Sequence, residues 1–84
     1  MTAPTVKVKP LVWPTEPRHN GIYRTKHNGT GIYYIMRVHA PNRVSWRCSE
    51  VFGWNDAGSE AAAKAAAQAD YEARILSAIE IVDE

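Results

Sequence analysis

Five cationic side chains and one aromatic ring recur at mostly same-parity spacings in the first half of the chain: Arg24, Lys26, Tyr33, Arg37, Arg43 and Arg47, with His39 among them. On a β-strand, alternate residues point to the same face, so this spacing gathers them on one side of a small sheet. A guanidinium presents a flat fork of donors that fits phosphate or carboxylate and stacks on aromatic rings. The chemistry is therefore recognition: of phosphates and stacked bases, or of a partner protein's carboxylates. No carboxylate is expected on that face. The ordinary alternative is a solvated side of a one-sided antiparallel sheet, for which Arg, Thr and Tyr are common choices.

A second set of charges lies near the C-terminus, where Glu60, Asp70, Glu72, Glu80, Asp83 and Glu84 face only Lys64 and Arg74. Acidic groups at a helix start suit its dipole and those at its end oppose it. Glu72 and Glu80 form an edge that would either dock on a basic groove or stay in water. His19, His27 and His39 lack His-x-x-x-His spacing, and Cys48 is the sole cysteine, so neither a metal centre nor a disulfide is expected. No positioned acid, base and nucleophile can be assembled, and no enzyme, catalytic residue or cofactor is expected.

These residues need a sheet to carry them. Asn28-Gly29 between Ile22–His27 and Thr30–His39 predicts a two-residue type I′ hairpin, pairing Tyr23 with Tyr34, Ile22 with Ile35 and Arg24 with Tyr33. A three-residue connection around Pro41 then pairs Val44 with Val38, Trp46 with Met36 and Cys48 with Tyr34. A two-residue loop would drive Arg47 into the core instead. Residues 6–13 read as an edge strand broken at Pro10, and 14–20 as a loop. Residues 50–54 read as a last short strand, and 1–5 as a loose end. Trp46 belongs to the core, with Trp13 and Trp54 capping the sheet edges.

Beyond Gly58 there is no glycine or proline, and alanine dominates, which predicts a helix over 59–81 capped by Ser59, with an acidic tail at 82–84. The expected buried stripe is Ala62, Ala65, Ala66, Ala69, Ala73 and Leu76, beside Tyr71, Ile75 and Ile79. The resulting fold is α+β: a four- to five-stranded antiparallel β-meander with one C-terminal helix packed across one face. At 84 residues the chain is one domain, because halves of it would be too short to bury separate cores. Twelve of its apolar residues are alanine, so the core is small.

The formal net charge of +1 conceals a division. Residues 1–47 hold eight basic residues and one acidic, and residues 48–84 hold two basic and eight acidic, giving +7 and −6. Such a bipolar chain offers two distinct charged surfaces. The N-terminus lacks a signal peptide's apolar run, and no stretch is long enough for a membrane span.

Leu11-Val-Trp13, Gly21-Ile-Tyr23, Gly31-Ile-Tyr-Tyr34 and the run Ala65 to Ile75 (AAAQADYEARI) resemble a group of very small proteins encoded by bacteriophages and prophages, mostly of alphaproteobacteria. The likeness covers roughly residues 11–80 and rests on structural motifs. Within that group the chain is similar to phage anti-CRISPR proteins, inhibitors of type I systems that bind stoichiometrically. The resemblance implies a partner, the host's multisubunit CRISPR-Cas surveillance complex, which would be kept from target DNA in the bacterial cytoplasm. It carries over no contact residues. A net negative charge confined to the region after Cys48 departs from inhibitors that mimic DNA throughout. Direct nucleic-acid binding and self-association of an accessory phage protein are the alternative expectations.

Overall fold

The computed structural model describes residues 8–78. Strands β1 (Ile22–Arg24), β2 (Tyr34–Ala40), β3 (Arg43–Cys48) and β4 (Asn55–Ala57) form one antiparallel sheet in that order, and helix α1 (Glu60–Ala78) lies across one face. This is the α+β meander expected, with four strands. The expected loose end at 1–5, Ile79, Glu80 and the tail at 82–84 lie outside the described residues.

The β2–β3 pairing is the one hydrophobic pattern selects, with Val38 opposing Val44, Met36 opposing Trp46 and Tyr34 opposing Cys48, but the connection is the two residues Pro41-Asn42 and not three, because a bulge between Val38 and Ala40 restores the register. The β1–β2 pairing differs from expectation by two residues, because Tyr23 opposes Met36 and Arg24 opposes Ile35. Asn28 explains the shift. Its Oδ1 accepts from the Thr30 backbone N–H (3.0 Å) and hydroxyl (2.6 Å), while its Nδ2 donates to the Ile32 carbonyl (3.1 Å). These bonds build a wide loop at 26–33 in place of a tight turn. An even shift leaves every side chain on its expected face.

Residues 8–13 do not form the expected strand. Pro10 and Pro14 each remove a backbone donor that a strand through this segment would use. Leu11 N–H instead donates to Gln68 Oε1 (2.8 Å), and Val12 carbonyl accepts from Lys26 N–H (2.8 Å). Leu11 is thereby buried between sheet and helix. The last strand also lies later than expected: residues 50–54 turn, and Asn55–Ala57 pairs with β3.

Ser59 caps α1 as expected, its Oγ accepting from Ala62 N–H (3.1 Å) and its carbonyl from Ala63 N–H (3.0 Å). The buried stripe, however, is Ala63, Ala67 and Tyr71, and Leu76 stays 47% exposed. An alanine-rich helix has little contrast between its faces, so the larger side chains decide its rotation. Tyr71 packs edge-on against Tyr34 with ring centroids 6.1 Å apart, and Tyr34 Oη donates to Asp70 Oδ2 at 2.6 Å. Alanine at 63 and 67 lets the helix lie close on Met36, Val44 and Cys48. Trp13 is half-buried and packs against both parts of this core.

One glycine is required by geometry. Gly21 has φ +67°, and a Cβ there would sit 2.8 Å from the Val38 carbonyl oxygen. It closes a single 3₁₀ turn, His19–Gly21, that leads the chain into β1 beside β2.

Candidate functional site

With α1 on the inner face, the outer face of the sheet carries the odd-numbered residues of β2 and β3. One cross-strand row runs Arg24, Ile35, Arg47, and the next runs Ile22, Arg37, Ser45, Asp56. The sequence spacing thus gathers Arg24, Arg37 and Arg47 on one surface. Asp56 corrects the expectation that no carboxylate shares this face; it enters because the last strand lies at 55–57. Among the described residues no salt bridge forms on this face.

The other candidates are placed as follows. Arg24 lies 3.9 Å over the centre of the Tyr33 ring, close enough for a cation–π contact. Lys26 falls beyond the end of β1, in the wide loop, and lines a hollow together with Arg24 and Tyr33. Arg43 sits at the opposite end of the sheet, where it lines a smaller cavity of about 260 Å³ with His39, Ser45 and Asp56. His39 Nε2 lies 3.2 Å from Ser45 Oγ, which accounts for one polar group at that end. Glu72 is exposed on α1, with Oε2 accepting from Gln68 Nε2 at 2.9 Å, so it belongs to a surface apart from the arginines. Glu80 lies outside the described residues.

Arg47 has the most developed surroundings. Its guanidinium carbon lies 5.8 Å from the Trp54 ring centre and 6.0 Å from that of Phe52, and its Nε is shielded from water with no hydrogen-bond partner. Phe52 is 94% exposed, next to Val51 and Trp54, both also exposed. These apolar groups are presented by a braced turn. Glu50 N–H donates to Cys48 Sγ (3.5 Å), Val51 N–H to the Cys48 carbonyl (3.1 Å), and Ser49 N–H to the Tyr33 carbonyl (2.8 Å). Gly53, at φ +110°, follows Phe52 in a conformation that favours glycine. Sequence reading missed Phe52 and took Trp54 for an edge cap. The available signal was a lone phenylalanine immediately before a glycine, the residue that most often marks a turn.

One acidic residue of the helix, Asp70, is engaged in holding the fold. Asp70 accepts from Tyr34 Oη and from Arg74 Nε (2.7 Å). Burial acts to raise the Asp70 carboxyl, but these two bonds outweigh it and hold the group below its ordinary range. Burial, reinforced by the bond to Asp70, pushes the Tyr34 phenol well above its ordinary value, so it stays a neutral donor.

Among the described residues no helix is long and apolar enough to cross a membrane. No protein-family model, curated protein or solved structure matches the chain.

Proposed function

We propose that this protein acts by binding, through the arginine and aromatic face of its sheet, and that its partner is a type I CRISPR-Cas surveillance complex held back from target DNA. The observation that carries the binding is Phe52. A phenylalanine 94% exposed beside Trp54 and Arg47 leaves almost its whole ring in water, and burying such a ring is worth about 1.5–3 kcal/mol. Arg, Trp and Tyr are also the residue types that dominate binding hot spots. The choice of partner comes from the resemblance of residues 11–80 to phage-encoded inhibitors. The sheet face is preferred over the helix edge because exposed aromatic rings lie beside its arginines, whereas Glu72 on the helix is bonded to Gln68 of the same helix.

A second reading, direct binding of nucleic acid, is supported by the Arg24–Tyr33 stack, which offers both a cation for phosphate and a ring for a base. The two are separated by incubating the purified chain with a panel of type I complexes and, separately, with DNA and RNA oligonucleotides. Stoichiometric capture of a complex with blocked target binding is expected. Capture by no complex, together with oligonucleotide affinity that falls steeply with salt, moves the assignment to nucleic acid.

A further inference from the structure

Beside the sheet, between the 14–18 segment and the wide loop, lies a hollow of about 520 Å³, within the roughly 300–1,000 Å³ of small-ligand clefts. Arg18, Arg24, Lys26 and His27 line it against one carboxylate, Glu16, and Tyr33 supplies an aromatic side. Its walls are braced from three directions. Arg18 N–H donates to the Ile22 carbonyl (2.7 Å), Lys26 N–H to the Val12 carbonyl (2.8 Å), and Asn28 holds the loop tip. Bracing before binding reduces the ordering cost of taking a ligand.

The lining has more donors than acceptors. Among the described residues Arg18, Arg24 and Lys26 make no salt bridge. His27 Nδ1 accepts from Gly29 N–H (3.3 Å), which leaves Nε2 as the protonated nitrogen and a further donor. Converging cations in a concave site select a compact anion with several acceptor oxygens, which describes a phosphate better than a carboxylate. The Arg24–Tyr33 stack beside them suits a flat base.

We propose that this hollow binds a nucleoside phosphate monoester, with the phosphate among Arg18, Lys26 and His27 and the base along the Arg24–Tyr33 pair. The ligand is either a free nucleotide or the phosphorylated 5′ end of a strand. The site shares the Arg24–Tyr33 pair with the nucleic-acid reading and deepens it, and it is separable from the protein-binding face because Arg37 and Phe52 do not line the hollow.

The test is a chemical-shift titration of the isotope-labelled full chain with adenosine 5′-monophosphate, adenosine, and oligonucleotides carrying either a 5′-phosphate or a 5′-hydroxyl. Saturable shifts at residues 16–18 and 24–33 are expected, with adenosine on the order of tenfold weaker than its monophosphate. Arg18→Ala and Lys26→Ala should each weaken the monophosphate on the order of tenfold while leaving the thermal midpoint unchanged, since both side chains are exposed. Tighter binding of the free nucleotide assigns the site to metabolites, and tighter binding of the phosphorylated strand assigns it to strand ends. The proposal is overturned by equal binding of adenosine and its monophosphate, or by unchanged binding in both variants. Absence of saturable shifts from either phosphorylated probe up to about 5 mM overturns it too. Greater sensitivity to Arg37→Ala than to Lys26→Ala returns the binding to the sheet face.

Discussion

Replacing Tyr34 by phenylalanine removes one oxygen from a fully buried side chain and almost nothing from its volume, so the change isolates the bond to Asp70. A hydrogen bond to a charged group is worth about 1.5–3 kcal/mol. The Asp70 side chain is 30% exposed, so water recovers part of this when the hydroxyl goes, leaving a loss of about 1–2 kcal/mol. For a domain of this size each kcal/mol lowers the midpoint by about 4–8 °C, so a fall of roughly 5–15 °C is expected at pH 7. The pH dependence gives a second reading. Asp70 is held below its unfolded value, so its contribution is complete above the ordinary carboxylate range near 4 and is lost as pH falls through the lowered folded value. Tyr34 is raised, so its contribution is complete below about 10 and is lost as pH rises from there. Tyr34→Phe should flatten both limbs, and Asp70→Asn should flatten the acid limb. Denaturant unfolding from pH 3 to pH 11 measures them. A loss below about 0.3 kcal/mol at pH 7, or an alkaline limb as steep as the parent's, would refute this assignment.

Gly21→Ala forces φ +67° on a side-chain-bearing residue, at about 1–2 kcal/mol, and sets its Cβ 2.8 Å from backbone that must shift. A total loss of about 2–4 kcal/mol is expected in denaturant unfolding, and a loss under about 1 kcal/mol would show that the 3₁₀ turn does not hold β1 against β2. Ser59→Ala removes the acceptor for Ala62 N–H and should cost about 1 kcal/mol, whereas Ser59→Asp should restore stability.

Although a bulge between Val38 and Ala40 replaces the expected three-residue connection, the core of the sheet was legible because apolar and polar residues alternate through β3 and from Met36 onward in β2. The face holding Arg24, Arg37 and Arg47 was legible for the same reason, surviving even the shifted β1 register because that shift is even. What sequence pattern could not supply was set by side-chain bonds of low contrast. Asn28 widens a loop that its neighbour glycine would otherwise tighten, and Tyr71 with Asp70 rotates an alanine helix that would fit in several orientations. The exposed Phe52 escaped notice because hydrophobic residues near a sheet are first assigned to strands, and residues 50–54 form a turn.

The binding claim is tested most directly by the affinity of the intact chain for a purified type I surveillance complex, compared among Phe52→Ser, Arg37→Glu and Glu72→Lys. All three side chains are exposed, so the fold should persist in each. Phe52→Ser should weaken binding by about 10- to 150-fold and Arg37→Glu by at least tenfold, with Glu72→Lys unchanged. Full affinity in Phe52→Ser and Arg37→Glu alongside a loss in Glu72→Lys would place the contact on the helix and contradict the sheet-face assignment.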